Sequence, residues 1–288
     1  MDKYLLVMDV SGDIDSQFAK EHVVKYIPME YSLGEEMRLC EAMESDEVIK
    51  RFYDGQRGGD LTKTSQISPY MYDKYLSPYM EEGYSIVYLC LSGGLSSTFQ
   101  SACMAKEALK EKFPELDFYP VDSLSATGGM GVLMERAVRN KEAGMSAEDN
   151  YKDLIEATHK IKHWFMVQDL NYLKRGGRVS ATTAVVGTML NIKPILKIDE
   201  NGKLVTIDKK RGNKSAAAAL IDLFKDNYDD NQQDVIYVID ADTKELADDV
   251  KEQLVNMYPD VTIRRASLSP IIGAHTGPGM VAICHMGK

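Results

Sequence analysis

Short apolar runs alternate with amphipathic stretches along nearly the whole of this 288-residue chain, and this alternation limits the possible folds most. In the first half, the strand candidates are residues 4–8, 23–29, 85–91 and 117–121. The helix candidates there are residues 46–53, 69–82, 97–113, 131–143 and 146–161. Because strands alternating with helices build layered α/β folds, the pattern predicts a mostly parallel sheet flanked by helices.

The pattern changes after residue 162. Asn201-Gly202 lies between the strand candidates 195–198 and 204–207, which predicts a β-hairpin and antiparallel pairing. The other candidates are strands at 164–167, 235–239 and 262–266 and helices at 214–227 and 244–257. A typical domain of ~150 residues gives about two domains in this length. We therefore predict a Rossmann-like α/β domain over 1–162 and a second α/β domain with a mixed sheet over 163–288.

Charge and apolar content exclude several classes of function. The formal net charge of −10 at pH 7 disfavours binding to nucleic acid and to anionic membranes, because both are polyanions. No stretch approaches the ~20 apolar residues of a membrane span, and the apolar run before Asp9 is too short for a signal-peptide core. The four cysteines are far apart, which favours reduced thiols. We expect a cytoplasmic monomer with at most transient membrane contact and no metal.

Hydroxyl-rich loops follow three predicted strands and precede one predicted helix. They read VMDVSGD (7–13), LCLSGGLSST (89–98), PVDSLSATGG (120–129) and TKTSQIS (62–68). In a doubly wound sheet, ligands bind beyond the carboxyl ends of the strands. The second loop also begins a helix, whose free N–H groups near Ser96 favour an anion. One such serine commonly only caps a helix, but the four loops together favour a small-anion site.

Two later segments add basic residues and a constrained histidine. LKRGGR (173–178) and KKR (209–211) carry positive charge, and we assign Lys174, Lys209 and Lys210 to the solvated surface. GAHTGPG (273–279) is rich in Gly and Pro, which predicts a turn that holds His275 in a fixed place.

Other chemistry is poorly supported. The chain has no GxxxxGK[ST] phosphate loop and no GxSxG motif, and GGMG (128–131) is not a dinucleotide fingerprint. His159 and His163 are one helical turn apart, but a third metal ligand is not evident, so we place them on a solvated helix face. The residues therefore indicate binding more than catalysis.

Seven segments in this order resemble the DegV family of bacterial proteins. They are MDVS (8–11), KTSQIS (63–68), LSGGLSSTFQSA (91–102), VDS (121–123), DLNYLKRGGR (169–178), GTMLNIKP (187–194) and IGAHTGPG (272–279). The usual Thr-Asp-Ser start is Met8-Asp9-Val10 here, and the common TSQPS is TSQIS.

The resemblance implies a two-domain α/β protein that binds one long-chain fatty acid, of about C14–C18, in a buried tunnel between the domains. Carried over position by position, it assigns the carboxylate to Thr64, Ser96 and His275. It also places Arg178 and Arg211 near the carboxylate or at a partner surface. The supporting loops that it indicates carry Ser65, Ser97, Ser123 and Gly277. It further implies a non-catalytic protein without a cofactor, which presents the carboxylate to a separate ATP-dependent kinase subunit that forms an acyl phosphate.

The residues themselves leave a second function open. A stand-alone hydrolase or transferase acting on a small phosphorylated or carboxylated metabolite would also use serine-rich strand ends together with His275. A long apolar cavity would favour the lipid, whereas a short polar cleft would favour the enzyme.

Overall fold

The computed structural model describes residues 3–180, 191–229 and 234–288, so residues 187–190 of the GTMLNIKP segment lie outside the described residues. The strands are β1 (Tyr4–Asp9), β2 (Lys25–Ile27), β3 (Met29–Leu33), β4 (Glu36–Cys40), β5 (Thr62–Thr64), β6 (Ser85–Cys90), β7 (Phe118–Asp122), β8 (Ile161–Met166), β9 (Ile192–Ile198), β10 (Leu204–Arg211), β11 (Ile236–Asp240), β12 (Ile263–Ser267) and β13 (Val281–Met286). The helices are α1 (Ser16–Glu21), α2 (Asp46–Gly58), α3 (Pro69–Glu81), α4 (Thr98–Lys112), α5 (Thr127–Glu142), α6 (Ala147–Thr158), α7 (Asn171–Arg175), α8 (Asn213–Asn227), α9 (Lys244–Met257) and α10 (Pro270–Thr276).

The first sheet is parallel throughout, in the order β2-β1-β6-β7. Its central strands β1 and β6 are almost entirely buried, as expected for a parallel sheet that helices cover. Helix α5 packs on this sheet and also on the second sheet, so it lies between the two. The predicted parallel sheet flanked by helices is confirmed.

The second sheet is mixed, in the order β10-β9-β8-β13-β11-β12, and only β11 and β12 pair in parallel. The predicted hairpin is β9–β10, in which Leu204 lies opposite Ile198 and Gly202 adopts a φ of +70° in the turn. The mixed sheet of the second half is thus confirmed. The boundary between 1–162 and 163–288 remains a prediction.

A small antiparallel sheet, β4-β3-β5, was not predicted. The predicted strand over residues 23–29 is wrong, because β2 ends at Ile27 and β3 begins at Met29 in a different sheet. Pro28 separates the two strands and has no N–H to continue the hydrogen bonding of either. The small sheet matters for function because β5 places Thr64.

Three predicted local structures are also wrong. Helix α6 ends at Thr158, so His159 is an exposed C-cap residue while His163 is buried in β8, and the two share no helix face. His275 lies in the last turn of α10 rather than in an open turn, because Ser269-Pro270 begins a short helix. Helix α5 begins at Thr127, four residues before the predicted start at 131.

Side chains on the two faces of β8 pack in two different apolar cores. Trp164 and Met166 pack in a core with α8 and α9, whereas Phe165 packs in the larger core with the parallel sheet. His163 has the same parity as Phe165 and therefore points toward the parallel sheet. No helix in the described part of the chain is long and apolar enough to cross a membrane.

Candidate functional site

A cavity of about 470 Å³ lies where loops of the parallel sheet meet the second sheet. This volume falls in the usual range for small-molecule sites, ~300–1,000 Å³. The polar residues from the first half of the chain lie mainly at the end of β5 and in the loop before α4, and they include Thr64, Ser65, Gln66, Ser96 and Ser97. The second half contributes Arg178 and His275 together with one face each of β8 and β13, on which Phe165 and Ala282 are apolar. The cavity is therefore polar in one part and apolar in another.

Thr64 and His275 form one polar pair in this cavity. Thr64 Oγ1 lies 2.8 Å from His275 Nε2, and the tautomer of the ring decides which atom donates. Thr64 ends β5, whereas His275 is in α10, and neighbouring contacts join these elements: Thr62 Oγ1 donates to the Ala274 carbonyl at 2.9 Å. The side chain of Gln56 on α2 donates to the Gly273 carbonyl at 3.1 Å. Hydrogen bonds from the side chains of Thr62 and Gln56 to carbonyls of α10 therefore fix the position of His275.

His275 is neutral at physiological pH. Burial lowers its pKa to about 4, and the nearby positive charge of Arg178 contributes in the same direction. Its Nδ1 is buried, and no group in the described residues pairs with it. A Cβ atom added to Gly176 would overlap Nδ1, so Gly176 leaves the room that the ring needs. The imidazole therefore supplies no positive charge, and its Nε2 orients the Thr64 hydroxyl.

Ser96 lies just before α4, and N–H groups in the first turn of a helix have no partner within the helix. Its Oγ accepts the backbone N–H of Thr98 at 3.2 Å and lies 2.8 Å from the Thr98 hydroxyl. Residues Gly93, Gly94 and Ser97 of the same loop also line the cavity. An anion beside Ser96 would thus meet both a hydroxyl group and the positive end of a 15-residue helix.

Arg178 supplies the positive charge that His275 lacks. Its Nε donates to the Leu95 carbonyl at 3.2 Å, and Nη1 donates to the Gly176 carbonyl. Burial lowers the pKa of Arg178, but a guanidinium stays protonated in proteins. The Leu95 contact holds Arg178 beside the loop that carries Ser96.

The predicted site residues do not all share this cavity. Thr64, Ser65, Ser96, Ser97, Arg178 and His275 line it. Arg211 is instead exposed at the end of β10, and the Ser123 hydroxyl is buried and donates to the Ser125 carbonyl at 3.2 Å. Gly277 adopts a φ of +73° and ends α10, where a Cβ atom would overlap the Tyr172 ring. Ser123 and Gly277 therefore shape loops without lining the cavity.

The loop at residues 7–13 is also not part of the cavity lining. The carboxylate of Asp9 is fully buried and accepts the N–H of Ser11 at 3.0 Å. It also accepts the Tyr88 hydroxyl and the Leu91 N–H, both at 2.9 Å. Asp9 therefore links the end of β1 to the end of β6, and its role is structural.

The apolar wall was not identified from the sequence as part of the site. It includes Met29, Phe165, Leu204, Ile271 and Met280. Two polar residues, His163 and Thr127, border the cavity as well. The predicted strand began at residue 164, whereas β8 begins at Ile161. With the earlier start, the alternation of side chains along a strand would have placed His163 and Phe165 on one face.

The model of the DegV protein family matches residues 3–288 of this chain. The chain belongs to the DegV family. A DegV domain-containing protein of Clostridium perfringens is 30% identical over 287 residues, which cover 100% of this chain and 98% of that protein. The DegV domain-containing protein YteA of Lactococcus lactis is 32% identical over 289 residues, which cover 99% and 98% of the two chains.

Solved structures of DegV proteins share the whole fold. DegV of Bacillus subtilis, described as a fatty acid binding protein, is 30% identical with a TM-score of 0.84, and each chain is covered over 100% of its length. A Thermus thermophilus DegV family protein described for its fatty acid binding is 26% identical with a TM-score of 0.86, covering 99% of this chain and 100% of that one. The Streptococcus pneumoniae Fatty Acid Kinase (Fak) B3 protein, loaded with linoleic acid, has the same fold at 21% identity, with a TM-score of 0.85 and coverage of 99% and 100%.

Proposed function

We propose that this DegV protein binds one long-chain fatty acid, of about C14–C18, with its carboxylate at Thr64, Ser96, His275 and Arg178 and its acyl chain along the apolar wall. The single observation that carries the proposal is the cavity, which collects hydroxyl groups, a helix start and a guanidinium in one part and apolar side chains in the rest. The fatty acid binding described for the Bacillus subtilis and Thermus thermophilus relatives supports the same ligand.

The chemistry of the polar part suits a carboxylate. A buried carboxylate that lacked donors would take up a proton, because desolvation disfavours the charged form. Arg178 offers charge, whereas Thr64, Ser96 and neutral His275 offer hydrogen bonds. Arg211 is exposed and does not line the cavity, so we assign it to a partner surface rather than to the carboxylate.

Most of the binding free energy would come from the acyl chain. Each buried CH₂ contributes about 0.8 kcal/mol, so a chain of ~16 carbons offers on the order of 12 kcal/mol before the costs of association and ordering. Those costs leave a dissociation constant roughly in the micromolar to nanomolar range. The polar residues would then mainly fix which end of the fatty acid faces the loops.

We further propose that a separate kinase subunit transfers the γ-phosphoryl group of ATP to the presented carboxylate, which gives an acyl phosphate and ADP. The family resemblance carries this partner, and the name of the Streptococcus pneumoniae neighbour agrees with it. This chain would be the binding subunit. Its own residues would orient the carboxylate for in-line attack on the phosphorus atom, while the kinase would hold the nucleotide.

The alternative of a stand-alone hydrolase or transferase has less support. The Thr64–His275 pair has the spacing of a nucleophile and a base. However, Nδ1 of His275 has no acidic partner in the described residues to orient the ring. The apolar wall, which includes Met29, Phe165 and Met280, also suits an acyl chain better than a small phosphorylated or carboxylated metabolite.

Native mass spectrometry tests the proposal directly. The purified protein should carry the extra mass of a fatty acid, and delipidated protein should bind added palmitate or oleate. Thr64→Val and Ser96→Ala should each weaken binding about tenfold or more, because each removes a hydrogen bond to a charged group. Ser146→Ala is a matched control, since the Ser146 hydroxyl also caps a helix start, accepting the Asp149 N–H at 3.0 Å, but does not line the cavity.

Protein that stays empty and binds neither acid would refute the fatty acid. The kinase step has its own test, which is ATP-dependent acyl phosphate formation by a cognate kinase, trapped with hydroxylamine. Turnover that is equally fast without this protein would refute the presenting role while leaving lipid binding intact.

A further inference from the structure

Asp13 connects the starts of two helices that line the cavity, although Asp13 itself does not line it. Its Oδ2 accepts the Thr127 hydroxyl at 2.6 Å, and its Oδ1 accepts the Ser269 N–H at 2.9 Å. Thr127 is the first residue of α5 and borders the cavity, whereas Ser269 is the N-cap of α10. One carboxyl group therefore joins the loop after β1 to both helices.

The loop after β1 holds Thr127 in an unfavourable backbone conformation. Thr127 has a φ of +46°, in the left-handed region that β-branched residues rarely adopt. Such a conformation persists only where the surrounding groups determine it. Here the Thr127 N–H donates to the Ser11 carbonyl at 2.8 Å, and the Thr127 hydroxyl donates to Asp13. This part of the cavity wall therefore depends on the loop that carries Asp13.

The start of α10 depends on the same loop. The Ser269 hydroxyl donates to the Val10 carbonyl at 3.0 Å, in addition to the bond between the Ser269 N–H and Asp13. From this start, α10 carries Ile271 and His275 to the cavity. A change at Asp13 therefore reaches both the apolar wall and the polar part of the proposed fatty acid site.

The Asp13 carboxyl group is buried without a cation. It is 7% exposed and borders a second cavity, of about 440 Å³. Three cations line this second cavity, and among the described residues none of them pairs with Asp13: Lys20, Lys244 and Arg265. Salt bridges to other carboxylates engage Lys244 and Arg265. The remaining charged residues of this lining are acidic: Asp15, Glu41, Glu44, Asp46 and Asp248.

Titratable side chains on the elements around Asp13 do not compensate its charge either. Those that interact with it electrostatically are Asp9, Tyr26, Cys40, Tyr53 and Cys284. Burial raises the pKa of each of these tyrosines and cysteines, so they are neutral at physiological pH. Burial raises the pKa of Asp13 to about 7, and the Asp9 charge contributes in the same direction. Asp13 therefore exchanges a proton near neutral pH.

The two charge states of Asp13 use the same two contacts differently. An ionised carboxylate accepts from both Thr127 and Ser269. In the neutral form, Oδ1 still accepts the Ser269 N–H, while an O–H on Oδ2 donates to Thr127 Oγ1, so both contacts persist without a buried charge. A fatty acid that covers this wall and brings its own negative charge favours the neutral form, because burial and a second anion both disfavour a carboxylate.

We propose that Asp13 is a positioning residue for fatty acid binding, which holds Thr127 and α10 in place from outside the cavity and does so best in its neutral form. The inference rests on the proposed fatty acid function and adds its regulation by pH. Binding should take up a proton at Asp13. The affinity should therefore fall as the pH rises through the range in which Asp13 ionises.

The experiment measures palmitate binding by calorimetry on delipidated full-length protein at a series of pH values. Asp13→Asn imitates the neutral carboxyl group, since its amide can donate to Thr127 and accept from Ser269. It should match the wild type at about pH 6 and bind about three- to tenfold more tightly than the wild type at about pH 8. Asp13→Ala loses both contacts and should weaken binding about tenfold or more at every pH.

The ionisation of palmitate itself affects all the proteins alike, so the ratio of dissociation constants between wild type and variant is the readout. Proton uptake is measured separately, from the binding enthalpy in two buffers of different ionisation enthalpy. Near neutral pH the wild type should take up a fraction of a proton on binding palmitate, and Asp13→Asn should take up none.

Asp240→Asn is the matched control. Asp240 is also a fully buried carboxylate that accepts a backbone N–H, that of Thr243 at 2.8 Å, but it does not line the cavity. This variant should keep the wild-type affinity for palmitate and its pH dependence.

A ratio between wild type and Asp13→Asn that is the same at every pH overturns the inference, and so does wild-type affinity in Asp13→Ala. Normal palmitate binding by the wild type leaves the proposed function standing in both cases. If the wild type binds no palmitate at any pH, both proposals fail. Should Asp13→Ala not fold, carbon NMR of the wild-type Asp13 carboxyl group decides: the midpoint of its titration should rise when palmitate binds, and an unchanged midpoint overturns the inference.

Discussion

Gly176→Ala tests whether the position of His275 determines fatty acid binding. The added Cβ atom would overlap His275 Nδ1, and the ring cannot turn away without losing the contact of Nε2 with Thr64 Oγ1 at 2.8 Å. Gly176 itself has φ −72° and ψ −11°, which alanine adopts without strain. The substitution therefore acts on the histidine and not on the local backbone.

The expected magnitudes separate binding from stability. Alanine in place of glycine at a helical position stabilises by roughly 0.5–1 kcal/mol, whereas the lost Thr64–His275 hydrogen bond costs about 1 kcal/mol. The two nearly cancel, so the free energy of unfolding should change by less than about 1 kcal/mol. Binding should weaken about 10- to 100-fold, because a hydrogen bond to a carboxylate contributes roughly 1.5–3 kcal/mol.

The assay pairs palmitate titration by calorimetry with urea unfolding of the same delipidated samples. Gly58→Ala is the matched control, because Gly58 is helical and no atom lies within 4 Å of the added Cβ atom. It should stabilise by about 0.5–1 kcal/mol and leave palmitate binding unchanged. Wild-type affinity in Gly176→Ala would refute the role of His275 in holding the carboxylate.

Two further predictions concern the frame around the cavity. Burial raises the pKa of Asp13 from 3.8 to about 7, so the native state holds a proton that the unfolded state releases, and stability falls as pH rises through this window. Asp13→Asn should remove a loss on the order of a few kcal/mol between about pH 4 and about pH 7. The same pH dependence of the free energy of unfolding in both proteins, measured by urea denaturation at each pH, would contradict this. Gly94→Ala would place a Cβ atom 2.5 Å from the Asn201 carbonyl oxygen and 2.6 Å from that of Gly202. It should lower the free energy of unfolding by about 1–3 kcal/mol in urea denaturation. An unchanged free energy of unfolding would refute this, because it would mean that the β9–β10 turn can move away from the added atom at no cost.

The regular part of the fold could be predicted because its signals are local. The β9–β10 hairpin follows from Asn201-Gly202 between alternating runs, and α3 follows from Ser68-Pro69 at its start. The segment around Pro28 could not be predicted in the same way. Its apolar residues fit one strand, and only the tertiary structure shows that two sheets share them.

The polar half of the site was more predictable than the apolar half. Hydroxyl-rich loops are visible in a sequence, so Thr64 and Ser96 could be proposed to lie together, and they line one cavity. The apolar wall is built from strand residues that look like any core, as Phe165 does. The loop at residues 7–13 shows the opposite error. It was grouped with the hydroxyl-rich loops of a ligand site, but the Asp9 carboxylate accepts hydrogen bonds from Ser11, Tyr88 and Leu91 inside the fold.

The order of strands in the second sheet has a consequence for how the protein is made. Strand β13 leaves the ribosome after β8 and β11, yet it lies between them, and it carries Ala282 and Cys284 into the cavity wall. Until residues 281–286 have emerged, β8 and β11 have no strand between them, and their inner edges remain open. The parallel sheet, by contrast, is complete in sequence by Asp122. We therefore expect the first sheet to form during synthesis and the binding cavity to form only after it, with two exposed strand edges in the interval for chaperones to protect.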